Sequence, residues 1–274
     1  MDQEKIMSQT FLRKITKALA RMNGDVVIEE SHHERLLTLA RMGFKLPILR
    51  EISSEKQAYL IELLIHSNSQ IGADLICLQY LNYKQNGYFV EFGGYDGIAH
   101  SNTLLLEECF NWSGILAEPS PNFFNQLKKN RPNCKLDNSC ITGTSNSHSK
   151  FAECADGELS TQAKYLKKGS LAERRLKHKI YDVPTLSLKD LLDKHSAPKH
   201  IDFLSIDVEG GEMEILEGFD FHSYSFSMIA IEHGWTDSEG KMDEILNRNG
   251  YTRQLEELSK IDAWYFHQAE CETD

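Results

Sequence analysis

The chain has 274 residues, enough for one α/β domain with an extra segment around a large single core. Its 41% hydrophobic and 26% charged residues are ordinary for a soluble globular protein. Thirty basic residues against 41 acidic ones give a formal charge of -11, which argues against a nucleic-acid partner, because phosphate binding needs clustered Lys and Arg.

Residues 1–69 read as an accessory helical unit. Phe11, Ile15 and Leu19 recur at helical spacing. Leu36, Leu37 and Leu39 lead toward Leu46, Ile48 and Leu49, and the stretch from Ala58 to Ile65 is strongly apolar. The first 20 residues lack the unbroken apolar core of a secretory signal. No stretch approaches the roughly 20 apolar residues of a membrane span, so a transmembrane segment is not expected. Cys77, Cys109, Cys134, Cys140, Cys154 and Cys271 form no CxxC or Cys/His zinc spacing. They point to a reducing compartment, and the expected location is cytoplasmic. Cys109, in a predicted helix, and Cys140, in a predicted strand, read as small core residues.

The main domain is expected over 70–274, entered by a helix from Gln70 to Tyr83. At Gly87 the texture changes. Residues 88–92 form a short apolar strand stopped by Gly93-Gly94, and Ser101 to Phe110 a helix with Ser101 as its N-cap. A second strand, 114–117, ends at Glu118-Pro119. A helix follows from Asn122 to Asn130, then a third strand from Leu136 to Thr142. Residues 144–183 break the alternation with a polar insertion, expected as a hairpin around Asp156-Gly157 and a basic helix. Its Lys164, Lys167, Lys168, Arg174, Arg175, Lys177 and Lys179 form a candidate basic patch or, more simply, the solvated face of a helical insertion. Helix resumes from Leu186 to Leu192. The strand 201–206 ends at Asp207, and the helix 212–217 is closed by Gly218 as a C′ glycine. The strand 226–231 ends at Glu232-His233. A helix from Lys241 to Arg248 precedes the last two strands, 251–255 and 264–267, read as an antiparallel pair. Strands alternating with helices predict a doubly wound, mainly parallel α/β sheet, with ligands beyond the carboxyl ends of the strands.

The residues worth weighing therefore follow strands. Glu91, Gly93, Gly94 and Gly97 stand as Glu-x-Gly-Gly-x-x-Gly where a dinucleotide fold would show GxGxxG. An acid at this strand end repels a pyrophosphate but suits the ammonium of an amino-acid-like ligand, such as the methionine part of S-adenosylmethionine (SAM). Glu118, 27 residues after Glu91, can accept both hydroxyls of a ribose, since a carboxylate is acceptor-only. NAD-binding folds use the same acid, so Glu118 alone does not separate the two cofactors.

VEFGGYDG followed by SNTLLLEECFNWSGILAEPSPNFFNQL resembles the opening of the FkbM family of methyltransferases, and IDFLSIDVEGGEMEILEGFDF and IAIEHG resemble its later signatures. The resemblance covers residues 70–267. It implies a class I, Rossmann-like SAM-binding fold and O-methylation of a sugar, polysaccharide or other hydroxyl-bearing metabolite. Family members often have Ile-Gly-Ala where this chain has Phe92-Gly93-Gly94, a mild departure. By the resemblance, Glu91, Gly93, Tyr95, Asp96 and Gly97 would line the methionine end of SAM, with Ser101, Asn102 and Thr103 capping the next helix beside it. Glu118, with Pro119 behind it, would hold the ribose. Asn138 and Ser139 would sit near the adenine.

Asp207 would face the transferred methyl as base or substrate clamp. Glu209 would share that task or favour the following helix N-terminus. His233 is a second candidate base, its pKa naturally near neutral. Asp207, Glu232 and His233 form a candidate site for a divalent metal, Mg²⁺ by its preference for oxygen or Mn²⁺ because of the histidine. His233 also reads as a strand-end histidine bonded to backbone, and His100 as a solvated loop residue. Trp112, Trp235 and Tyr165 are candidates to stack on a sugar, or core residues. The expected partner is a small-molecule or glycan acceptor, with a homo-oligomer left open. The alternative is an inactive scaffold that kept the fold, against which the intact Glu91, Glu118, Asp207 and Glu232 speak.

Overall fold

The computed structural model describes residues 63–64, 66–167, 172–233 and 238–268. By contact the chain divides into two compact units, 1–65 and 66–274, and every element below belongs to the second. The readings at Phe11 to Ile61, Lys168, Trp235 and Cys271 lie outside the described residues.

Helix α1 (Ala73–Tyr80) enters the domain. Then follow β1 (Tyr88–Phe92), α2 (Leu104–Phe110), β2 (Ser113–Ala117), α3 (Pro121–Asn130) and β3 (Lys135–Asp137). β4 (Cys140–Thr142), β5 (Ser147–Cys154), β6 (Thr161–Gln162) and β7 (His178–Ser187) come next. The chain closes with α4 (Leu188–Lys194), β8 (His200–Ile206), α5 (Glu212–Glu217), β9 (Ser225–Glu232), α6 (Glu239–Arg248), β10 (Tyr251–Gln254), α7 (Glu256–Ser259) and β11 (Asp262–His267). Among the described residues no helix is long and apolar enough to cross a membrane.

Seven strands form one sheet in the order β10-β11-β9-β8-β1-β2-β3. β1 pairs in parallel with β2 on one side and β8 on the other, and β8 with β9. β11 runs antiparallel to both of its neighbours, β9 and β10. The inner strands are buried on both faces, which is why they read as continuous apolar runs rather than alternating ones. On one face, Val90, Ile115, Leu204 and Ile229 join Leu191 of α4, Ile215 of α5 and Leu246 of α6 in a single cluster. On the other, the Tyr80 ring of α1 meets Phe266 at 4.7 Å, and Arg131 beyond α3 lies over Phe89 at 5.5 Å. The sheet is thus covered on both faces, as a doubly wound fold requires. Strand order reverses between β1 and β8, so their carboxyl ends open a crevice.

The insertion differs from expectation. Instead of a basic helix, the described residues show a four-stranded sheet, β4-β7-β5-β6, with short 3₁₀ turns such as Ala172–Arg175. β5 and β7 run antiparallel over eight residue pairs, from Ser147 opposite Thr185 to Cys154 opposite His178. The β5–β6 pair does turn around Asp156-Gly157. The single strand expected over 136–142 is split: β3 belongs to the large sheet and β4 to the small one, so the chain changes sheets at Asn138-Ser139. Cys140 is buried as expected, but Cys109 is exposed, on the outer face of its helix. Trp112 is a core residue, buried beneath Gly87 with its indole N–H on the Lys84 carbonyl at 2.8 Å. Gly218 is right-handed rather than a left-handed cap, and its hydrogen is needed where α5 meets Gly143 at the end of β4.

Candidate active site

The crevice between β1 and β8 opens into a cavity of about 180 Å³. Its floor is the ends of β1, β8 and β9; one wall is Glu118 and Pro119 after β2; the far wall is Phe151, Leu159 and neighbours from the insertion.

Gly93 shows why this floor needs glycine. Its φ is +72°, and a Cβ there would collide with the Asp207 carbonyl oxygen. Gly93→Ala therefore combines a left-handed strain of about 1–2 kcal/mol with backbone overlap. Chemical denaturation should show a loss of at least about 2 kcal/mol, and an unchanged midpoint would contradict this packing.

Glu91 is buried beside the cavity, and its carboxylate is already engaged. It accepts from Ser101 Oγ at 3.0 Å, the Asn102 amide at 2.7 Å and Thr103 Oγ1 at 2.5 Å. Glu91 thus closes the β1–α2 loop as well as lining the cavity. Helix α2 starts later than expected, at Leu104 with Thr103 as its N-cap; Ser101, in the preceding loop, accepts on Oγ from the Thr103 and Leu104 amides, each at 3.2 Å. Thr103 and Gly97 do not line the cavity. They sit behind it against Arg131, whose guanidinium is 0% exposed and bonds Gly97 O, Ser101 Oγ, Thr103 Oγ1 and Glu107. Arg131 is a site-supporting residue that sequence reasoning missed. Asp96 caps the same loop, taking the Ile98 and Ala99 amides at 2.9 and 2.8 Å.

Glu118 accepts the Tyr95 amide at 3.1 Å on one oxygen and the Ser120 amide at 2.7 Å on the other. Burial pushes its pKa up to about 8 against the pull of those two amides, and Glu153 adds to the rise. Each oxygen keeps a lone pair for a further donor. Ser139 and Ile141 line the cavity next to Phe151, whereas Asn138 is exposed and outside it. Two contacts tie the insertion to the β1–α2 loop: Glu158 reaches His100 at 3.2 Å, and Gly157 lies against the Tyr95 and Phe123 rings, which meet at 4.3 Å.

At the floor, one carboxylate oxygen from each of Asp207, Glu209 and Glu232 lies within 4.8 Å of the others. Burial, then Asp262 and Glu212, raise Asp207 to about 7. Burial and Asp207 hold Glu232 well above the usual carboxylate range. Glu212 closes the loop after β8 by accepting the Val208 amide at 3.1 Å and the Gly210 amide at 2.9 Å. His233 does not join this group. It is 3% exposed, with Nε2 on the Asp262 carbonyl at 3.0 Å and Nδ1 facing Glu239 at 3.9 Å. Its side chain packs against β11 and α6 rather than lining the cavity, so neither the general base nor the metal ligand expected of it fits this position.

The FkbM methyltransferase domain profile matches residues 91–253. The chain belongs to the FkbM methyltransferase family. That makes it a SAM-dependent methyltransferase, with the Rossmann-like sheet described above. Among curated proteins no sequence matches. Of solved structures, the FkbM methyltransferase from Methylobacillus flagellatus aligns with 86% of this chain and 60% of its own, at 10% identity and TM-score 0.44. A precorrin-6y C5,15-methyltransferase from Geobacter metallireducens aligns with 66% of this chain and 71% of its own, at 14% identity and TM-score 0.35. The human methyltransferase 10 domain containing protein covers 84% and 96%, at 13% identity and TM-score 0.39. The cavity offers a turn without a Cβ at Gly93, a buried carboxyl group at Glu118 and apolar walls at Ile141 and Phe151.

Proposed function

We propose that this FkbM methyltransferase methylates a hydroxyl oxygen of a sugar, polysaccharide or sugar-bearing metabolite. The observation that carries the reading is the carboxylate pair Asp207 and Glu232 on the cavity floor, beside the Gly93 turn. A hydroxyl is a poor nucleophile until its proton is drawn off, and an acid titrating near neutrality is suited to that task.

SAM, when bound, supplies an electrophilic methyl on a sulfonium. Gly93, Tyr95, Ser101 and Asn102 would hold its methionine end, Glu118 the ribose, and Ser139 the adenine edge beside Ile141 and Phe151. Asp207 would orient the acceptor hydroxyl and take its proton, which Glu232 would share. Holding the reacting oxygen in line supplies much of the acceleration.

Transfer of labelled methyl from SAM across monosaccharides, polysaccharides, sugar nucleotides, amines and peptides tests the reading. Label expected on hydroxyl oxygen of a glycan supports it; label confined to nitrogen overturns the oxygen assignment. No transfer together with no SAM binding would favour the scaffold alternative.

A further inference from the structure

We propose that the insertion is a working part of the active site, with Arg175 the positioning residue that pins Glu209 and thereby fixes Asp207. The inference rests on the methyltransferase reading and concerns the basic residues that read, in sequence, as a solvated face.

Glu209 sits in the left-handed region with φ +59°. Two insertion residues hold it there. Arg175 forms an ion pair with its carboxylate, and Thr161 Oγ1 donates to its carbonyl at 2.9 Å. The next residue, Gly210, lies so close to the Tyr165 ring that an added Cβ would come within 3.1 Å. Further along, Glu214 accepts from Lys164 at 2.6 Å and from the Tyr165 hydroxyl at 2.5 Å. The loop between β8 and α5 is thus gripped from the insertion side along its length.

Arg175 is 4% exposed, in a segment otherwise polar and open. Burying a guanidinium is unfavourable unless it is paired, and Glu209 is a partner. A carboxylate turned toward Arg175 is an anchor rather than a second base, which leaves Asp207 and Glu232 to face the acceptor. Asp207 lies two residues before the anchor, and its carbonyl packs on Gly93. A small shift of the loop would move Asp207 off line, and a displacement of about 1 Å can cost roughly 10²-fold in rate.

Hydrogen exchange followed by mass spectrometry on the full chain tests this without an acceptor. In Arg175→Ala, the peptide covering 207–214 should exchange at least about tenfold faster, while peptides of β1 stay unchanged. Arg175→Lys should restore much of the protection. Glu209→Gln should match Arg175→Ala, and the double variant should be no faster than either single one. With an acceptor, kcat should fall about 30-fold with KM for SAM within about threefold. Unchanged exchange in Arg175→Ala, additive effects in the double variant, or a far larger loss of transfer in Glu209→Gln would each overturn the anchor. If Arg175→Ala fails to fold, Thr161→Val and Glu209→Gln carry the same measurement. Wild-type protein that fails to bind SAM overturns the proposed function, while the exchange result still decides whether the insertion holds the loop.

Discussion

Asp207→Asn should abolish most methyl transfer while making the protein more stable. General-base catalysis is worth roughly 10²–10⁴-fold, and a carboxamide cannot take the hydroxyl proton. SAM binding should change little, because the ribose and adenine walls are elsewhere. The gain in stability follows from the carboxylate's setting. Burial, then Asp262 and Glu212, hold Asp207 near 7, above its ordinary value of 3.8. The folded state therefore binds more protons than the unfolded state between these two values, and stability falls as pH rises through that window. The amide carries no such penalty. Asp207 is exposed to cavity solvent, so screening reduces the benefit to about 1 kcal/mol. Thermal melts should put Asp207→Asn above wild type at pH 8, with the gap closing toward pH 4. Transfer by the wild type should rise with pH through about 7 as the base loses its proton. A variant that is both inactive and less stable at pH 8 would show that Asp207 is a structural partner rather than a strained base.

The large sheet was legible in the sequence for a physical reason. β8 and β9 are buried on both faces, so they stand out as unbroken apolar runs, and the polar residues that follow them mark the carboxyl ends. The acids of the floor were found this way. The insertion was not legible, because its order depends on partners far along the chain. Arg175 reads as one basic residue among several until Glu209, 34 positions later, is brought against it. Lys164 and Arg174 likewise meet Glu214 and Asp156. His233 illustrates the converse. Its place after β9 was read correctly, but its orientation is set by a carbonyl of β11, 29 residues on. Nothing in the sequence singles out Arg131; its depth comes from Glu107 of α2, 24 residues earlier. Local pattern located the strands and their ends, whereas contacts between distant segments decided which way the polar side chains turned.

The largest effect on SAM affinity should come from Glu118, and it should depend on pH. Burial raises its pKa to about 8, so near neutrality the empty site holds it mainly protonated. Ribose hydroxyls donate best to the ionised carboxylate, and binding is then coupled to loss of a proton. Affinity should therefore tighten as pH rises toward about 8, by up to tenfold per unit, and level off above it. Glu118→Ala removes both acceptors and leaves the Tyr95 and Ser120 amides without their partner. Lost charged hydrogen bonds at roughly 1.5–3 kcal/mol predict an affinity reduced on the order of 100-fold. Glu118→Gln keeps the shape and one acceptor, so it should lose about tenfold and show a flatter pH profile. The amino group of SAM itself titrates at about 8, so the informative quantity is the difference between the wild-type and Glu118→Gln curves. Calorimetry from pH 6 to pH 9 supplies both. Parallel curves would mean that Glu118 does not meet the ribose. A wild-type affinity that falls toward acid pH more steeply than the glutamine variant's would support the contact and explain why a buried acid is kept at the end of β2.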